Sequence, residues 1–510
     1  MSKLPQSAQE IIDKLNKAGF ECFAVGGSVR DILMRKETKG WDFTTNATPN
    51  EIMKIFPDSF YDNNFGTVGI KMTSHQTGHP ELTEHRHPEL TEHRHPELPP
   101  AVACCNSSWW AGVSGSNSET GSLNIYLRRQ EFGMTENTED VYEITTYRSE
   151  KGYTDSRHPD EIMWGKTLEE DLSRRDLTIN AIAYDGKKLI DPFNGQRDLK
   201  NRLIRSVGDP IQRFTEDALR LMRTVRIATQ LGFAIEEKTF AAIKKLAPTI
   251  NKVSADRIRH ELKRILESDY PSDGIMILKN AGILDELLPE LSKTFGVSQI
   301  SPKRHHIYDV GTHLLKSLEA TPSKNWLVRF ATLIHDIGKP QVFRKDQQTN
   351  LITFYNHEMV GTTIAKNIAK RLNFSKKDAE KFALLVRHHQ FTVDENQTDT
   401  TLRRFVKKVG KENLQDILDL RIGDRVGGGV PITSWRLRLF IKRLEEVQKQ
   451  PFTVADLKVD GYDVMKIFNI KPGPQIGKIL NDLFNDVVLG KIKNDREILL
   501  KKLQELKKTI

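Results

Sequence analysis

Hydrophobic positions near the start of the chain fall first at helical and then at strand spacing. Ile11, Ile12 and Leu15 share one face of a helix that Ser7 opens as a cap and Gly19 closes. The run Phe23-Ala24-Val25 reads as a buried strand and stops at Gly26-Gly27, where a polar, basic segment through Ser28, Arg30 and Asp31 begins. Strand, tight turn and helix start succeed one another there, an arrangement whose backbone N–H groups can hold a phosphate. A short strand then carries Asp42. Thr48-Pro49-Asn50-Glu51 is a capping box with proline at the first helical position, and it opens a helix through Ile52, Met53 and Phe56. Phe65–Met72 and the β-rich run Asp140–Arg148 predict further strands.

Farther on the pattern turns helical. Ala218, Leu221, Met222 and Val225 form an apolar stripe, and Asp217 and Arg220, three apart, are expected on another face of the same helix. Residues 238–267 continue as a basic amphipathic helix with Arg257, Arg259, His260, Lys263 and Arg264, expected to face RNA. Trp326–Ile334 reads as a buried helix that runs into His335-Asp336-Ile337-Gly338-Lys339. Glycines 427 to 429 predict a hinge, and the end of the chain is helical and basic, with Pro472-Gly473-Pro474 forming a turn that opens a helix.

One stretch fits neither period. HPELTEHR occupies residues 79–86 and again 87–94, a third copy starts at His95, and a Gly/Ser/Asn-rich run follows to about residue 122. A proline in every copy cannot continue a helix or a central strand. Residues 74–132 are therefore expected to be a disordered low-complexity insertion at a hairpin tip.

Composition narrows the class. The chain has 510 residues, long enough for about three domains. A net charge of +9 favours a polyanionic partner such as nucleic acid. Only Cys22, Cys104 and Cys105 occur, without the spaced pairs of a disulfide framework or a cysteine zinc site. The first residues lack an apolar signal core, and no segment approaches the roughly 18 apolar residues of a membrane span. A cytoplasmic enzyme or binding protein without membrane contact is expected.

Alternate residues of a strand point to one face, so a D-x-D strand presents two carboxylates to a common pair of divalent ions. Here the strand reads Gly40-Trp41-Asp42, and its first position has no side chain. The segment Val25-Gly26-Gly27-Ser28-Val29-Arg30-Asp31, the Asp42 strand and Thr45-Asn46-Ala47-Thr48-Pro49-Asn50-Glu51 together resemble the head of class II tRNA nucleotidyltransferases, which bacterial poly(A) polymerases share. Glu143-Ile144-Thr145-Thr146-Tyr147-Arg148, Arg174-Arg175-Asp176-Leu177-Thr178-Ile179-Asn180-Ala181 and the Glu216–Arg226 segment extend the resemblance, and Tyr153–Pro159 looks like the family's mobile loop. His313, His335-Asp336, His357, His388-His389 and Asp424 resemble the ligand series of the HD phosphohydrolase superfamily.

The resemblance implies an α+β protein: a nucleotidyltransferase-type mixed α/β head at 1–180, a helical neck and body at 181–300, an HD domain at 301–430 and a helical tail at 431–510. It implies transfer of CMP and AMP from CTP and ATP to a tRNA 3′ end with release of pyrophosphate. Asp42 and Glu143 would hold Mg2+ as catalytic carboxylates. Gly27, Ser28, Arg30, Arg175, Asp176, Asn180, Arg223 and Arg226 would hold the nucleotide, and Asp217 and Arg220 would read its base. His313, His335, Asp336 and Asp424 would hold a divalent metal in the HD domain, with His357, His388 and His389 as second choices. The family carries a carboxylate where this chain has Gly40, which implies impaired transfer. A poly(A) polymerase, an RNA phosphohydrolase working through the HD site alone, and a non-catalytic tRNA-binding protein are the alternatives.

Overall fold

The computed structural model describes residues 4–38, 40–62, 67–72, 140–151, 161–165, 167–300, 307–448, 454–488 and 491–509. The 74–132 stretch and the Tyr153–Pro159 loop lie outside the described residues. Contacts divide the chain into two compact units, Met1–Pro289 and Glu290–Ile510.

The first unit is built on a seven-stranded mixed sheet. Its strands are β1 (Cys22–Val25), β2 (Asp42–Thr45), β3 (Ser59–Asp62), β4 (Thr67–Met72), β5 (Asp140–Thr146), β8 (Ala183–Tyr184) and β9 (Leu189–Ile190), in the order β3-β4-β5-β2-β1-β8-β9. The pair β2–β5 is parallel and its register sets Asp42 beside Glu143. Strands β4 and β5 form an antiparallel pair in which Met72 faces Asp140, the geometry that an insertion at a hairpin tip requires. The run expected to be one strand through Arg148 is instead split. Tyr147 leaves the large sheet, and β6 (Arg148–Lys151) pairs with β7 (Glu161–Trp164) in a sheet of its own.

Helix α1 (Gln6–Lys17) buries Ile11, Ile12 and Leu15 against Phe43, Ile144 and Ile52 of α3 (Pro49–Ile55). Its cap is Pro5, not Ser7: Ser7 lies within the helix and its hydroxyl meets the Tyr142 hydroxyl at 2.6 Å. The capping box of α3 forms as expected, with Glu51 accepting from the Thr48 N–H at 2.8 Å. Helix α2 (Gly27–Leu33) starts directly after β1. On the other side of the sheet, Val25, Tyr147 and Ala183 pack with Leu172 of α4 (Leu168–Ser173) and Ala181.

Helices α5 (Gly195–Lys200), α6 (Pro210–Glu216), α7 (Leu219–Leu231), α8 (Glu237–Leu246) and α9 (Ala255–Leu266) complete most of this unit. The expected continuous helix over 238–267 is broken by a 3-10 segment at Ala247–Lys252, where Pro248 cannot extend α8.

The second unit is mainly helical. Its site rests on α10 (Val310–Ala320), α11 (Trp326–Ile334), α12 (His357–Arg371), α13 (Lys376–His388) and α14 (Leu414–Gly427), and a separate apolar cluster from Leu457 to Leu503 fills the tail. Within the expected hinge at 427–429, Gly427 is a packing point. Gly427 ends α14, and a Cβ there would collide with Ser317 of α10.

Gly195 shows how tightly the sequence is held behind the Arg174–Ala181 motif, since a Cβ there would run into the carbonyl oxygen of Thr178 and lie 2.9 Å from Ile182. Gly195→Ala is expected to destabilise the first unit by about 1–3 kcal/mol, read as a lower thermal midpoint whose loss Gly473→Ala, in more open surroundings, does not reproduce.

Candidate active site and metal cluster

Asp42 and Glu143 are both exposed, while Trp41 and Ile144 beside them are buried. In-register neighbours on parallel strands share a face, so the two carboxylates form a pair on the sheet surface. Gly40 is exposed too, and a Cβ built there meets nothing within 4 Å. Arg175 completes the surface: a Cβ at Gly26 would lie 3.3 Å from Arg175 Nη1 and 3.3 Å from Asp42 Oδ2, and Gly26 has φ +79°. The backbone conformation favours glycine there, and a Cβ would press on both side chains. Surrounding protein raises the Asp42 carboxyl pKa, and Arg175 and Arg223 oppose the rise.

Behind this surface a polar relay joins motifs far apart in sequence. Arg30 binds Asp31 through Nε at 2.9 Å and donates from Nη1 to Asn180 Oδ1 at 3.0 Å. Asn180 donates to Asp176 Oδ1 at 3.4 Å, and Arg223 Nε donates to Asp176 Oδ2 at 2.8 Å. Arg175 pairs with buried Asp171 at 3.2 Å. Ser28 is buried and its hydroxyl donates to the Val25 carbonyl at 2.9 Å, so only its backbone faces the Gly26-Gly27 turn as a donor. The structure therefore brings together Gly27, Ser28, Arg30, Arg175, Asp176, Asn180 and Arg223.

Two expectations about the following segment change. Asp217 does not lie on the helix with Arg220: it is extended between α6 and α7, and its Oδ1 accepts the Leu219 N–H at 2.9 Å. Asp217 thus precedes Ala218, the N-cap of α7, and lies outside the helix whose face it is expected to share. Arg257 holds the other oxygen at 2.8 Å, whereas Arg220 binds Glu216 and the carbonyls of Arg213 and Arg174. Arg226 is buried, with Glu261 at 2.6 Å and Gln230 at 2.8 Å as partners, and serves the helix packing.

The second unit gathers its histidines around Asp336. His313 and His335 approach Asp336 Oδ2 at 3.5 and 3.3 Å, and His357 and His389 approach Oδ1 at 3.1 and 3.6 Å. Asp424 Oδ1 lies 3.3 Å from His313 and 3.5 Å from His335. His335, His357 and His389 direct Nδ1 to the carbonyls of Thr332, Phe354 and Val386 at 2.7–2.8 Å, which turns Nε2 inward. Metal-ligating histidines are commonly held this way. The Nε2 atoms of His313 and His335 are 3.2 Å apart, and those of His357 and His389 3.3 Å apart. Such pairs need a shared proton or a cation between them. The donor set fits a metal centre of two triads, His313–His335–Asp424 and Asp336–His357–His389. Burial would lower the His335 pKa, yet Asp336 and Asp424 carry it up to about 10. A cation would displace that proton.

His388 falls outside the cluster, in a surface groove with Lys366 and Arg387, and burial together with Lys408 lowers its pKa to about 4. Sequence reasoning missed Lys339, which binds Asp336 Oδ2 at 2.6 Å and Gln299 at 2.8 Å. It also missed Gly338, where a Cβ would strike the His357 carbonyl. Both stand in the string His335–Lys339 that was singled out for its first two residues.

A mixed sheet with an exposed carboxylate pair beside a glycine turn and arginines defines a nucleotidyltransferase head. Family models agree: poly(A) polymerase head domain over residues 22–100 and 120–205, the RNA-binding site ascribed to polymerase A over 232–295, and tRNA nucleotidyltransferase domain 2 over 341–503. An A-adding tRNA nucleotidyltransferase of Deinococcus radiodurans is 34% identical over 342 residues, 65% of this chain and 77% of that protein. A CCA-adding enzyme of Lactococcus lactis subsp. cremoris is 28% identical over the full length of both chains. The fold matches that of the Bacillus stearothermophilus CCA-adding enzyme solved with CTP, at TM-score 0.63 and 23% identity over 99% of this chain and 98% of that one. The chain belongs to the tRNA nucleotidyltransferase family.

Asp176 offers a test of the relay. Burial would raise its pKa, but Arg223, with Arg220 and Asn180, holds the carboxyl far below the usual range. A depressed folded-state pKa contributes stability that is complete above the unfolded value of about 4 and is lost as pH falls below it. Asp176→Asn is expected to cost on the order of 1–3 kcal/mol at pH 7. Urea midpoints at stepped pH should show this gap constant down to about pH 4.5 and narrowing below; a gap independent of pH would mean that the charge contributes nothing.

Proposed function

We propose that the chain adds nucleotides to the 3′ end of tRNA in the cytoplasm, transferring CMP and AMP from CTP and ATP with release of pyrophosphate. The observation that carries this reading is the Asp42–Glu143 pair set in register beside Gly26 and Arg175. These carboxylates would hold Mg2+, which when bound neutralises phosphoryl charge and acidifies the attacking hydroxyl. Arg175, held from behind by Asp171, is placed to orient the triphosphate against the backbone of the Gly26-Gly27 turn. Arg223 adds positive charge from the helical side and is itself fixed by Asp176. Asp217 and Arg220 supply an acceptor and a forked donor for the base edge, each steadied by groups other than its partner.

Gly40 leaves this site a ligand short. Loss of one ligand from a two-metal site costs transition-state stabilisation worth on the order of a thousandfold in rate. Labelled CTP and ATP incorporation into tRNA lacking its CCA end should rise by about that factor in Gly40→Asp, because the new side chain enters open space. Supplying CTP and ATP separately distinguishes CCA addition from A addition. Equal, robust incorporation by both proteins would mean that Asp42 and Glu143 suffice, and silence in both with tRNA bound would leave a binding protein.

A second reading rests on the six-residue His/Asp cluster of the second unit, which suits metal-dependent hydrolysis of a phosphate ester. The cluster would hold one or two divalent ions, and Lys339 keeps Asp336 ionised and oriented. Hydrolysis of bis(4-nitrophenyl) phosphate with Mg2+, Mn2+ or Ni2+ is expected to fall at least a hundredfold in Asp336→Asn. Nucleotide incorporation should be unchanged in that variant.

A further inference from the structure

A cavity of about 540 Å3 in the first unit lies at the far end of α2, away from the Gly26-Gly27 turn. Seven helical residues separate the two places, about 10 Å along the axis. Lys36, Lys200 and Arg202 line it, and among the described residues no acidic side chain does. Among the described residues, the side chains of these three cations make no ion pair or hydrogen bond. Its remaining wall includes Phe233, which is buried, and Tyr270, which is 47% exposed.

The plain account of such cations is that they balance helix dipoles, since α2, α5 and α7 all end here. Three helix ends contribute roughly half a negative charge each at most. Three full positive charges leave a surplus of about one and a half. The turns that carry them are also unusual: Arg35, just before Lys36, and Arg202 have φ of +57° and +51°, a region that side chains seldom adopt. Tyr270 is positioned with equal specificity. Its ring lies over Gly232, where a Cβ would come within 3.0 Å of it, and Gly232 itself has φ +66°. One face of an aromatic ring is thereby fixed against backbone beside an unbalanced cationic cluster.

We propose that this cavity binds a nucleotide unit outside the catalytic site, its phosphate held by Lys36, Lys200 and Arg202 and its base stacked on Tyr270. Charge-assisted hydrogen bonds to phosphate and base–aromatic stacking are the two contacts that such a unit needs. The volume falls within the 300–1,000 Å3 typical of small-ligand sites. The unit comes either from a free nucleotide or from an RNA strand lying across this surface, and the chemistry of recognition is the same for both.

Photolabelling of the full-length chain with 8-azido-AMP, followed by peptide mapping, tests the proposal. Adducts are expected in the peptides that contain Lys36 or Tyr270, in addition to any at the catalytic face. Lys36→Ser combined with Arg202→Ser should reduce cavity labelling at least fivefold, and Tyr270→Ser should do so separately, with labelling around Arg175 unchanged. If unlabelled oligoadenylate displaces the probe at a tenfold lower concentration than AMP, the ligand is an RNA nucleotide; equal potency assigns a free nucleotide. Labelling confined to the catalytic face, or cavity labelling indifferent to all three substitutions, overturns the proposal.

Discussion

The parallel pairing of β2 with β5 is the constraint on which the head depends. A shift of one residue would turn Asp42 or Glu143 toward the core, and the buried neighbours Phe43 and Ile144 would be exposed in exchange. The register is therefore enforced by the hydrophobic effect acting on residues that take no part in chemistry. The sheet supplies one fixed face, the glycine turn after β1 approaches it closely, and the arginines are brought in from outside the sheet. Each later element of the unit is placed with reference to that face.

Arg175 is held by Asp171, and what brings in Arg30 and Arg223 is the relay Arg30–Asn180–Asp176–Arg223. Its members come from α2, from the 3-10 turn Thr178–Asn180 and its approach, and from α7. Satisfying one buried carboxylate thus ties the sheet domain to the helices that follow it. Asp217 and Arg220 extend this logic. Each is anchored by a neighbour other than its supposed partner, so the spacing between them is set by α6, α7 and α9 and not by their own attraction.

Much of this was legible in the sequence. The strand–turn–helix at Gly26-Gly27 and the capping box at Thr48 follow from local rules, and the structure contains them; Glu143 is named as Asp42's partner only by the family resemblance, and the parallel register sets the two side by side. The departures have physical reasons that single-sequence patterns do not carry. Asp217 lies in a continuous helical pattern, yet its backbone is extended and its short side chain turns onto the Leu219 N–H, which breaks the run between α6 and α7. Arg226 looks like Arg223 one turn earlier, but it meets Glu261 in the interior, and that contact is made across 35 residues. His388 and His389 are adjacent, and successive helical residues point about 100° apart, so only packing against α12 decides which one faces Asp336. Gly427 belongs to a glycine run that suggests flexibility, whereas its neighbour Ser317 makes it a contact point.

Asp336 presents one oxygen to His313 and His335 and the other to His357 and His389. Were both half-sites to hold ions, one shared carboxylate would make them thermodynamically inseparable: whatever drew charge toward one oxygen would alter the affinity of the other. Filling the second half-site would then depend on the state of the first, and linkage between the two would be written into one side chain. Such a centre would respond to metal concentration as a unit, more steeply or more shallowly than two isolated triads, with Lys339 setting the charge from which both begin.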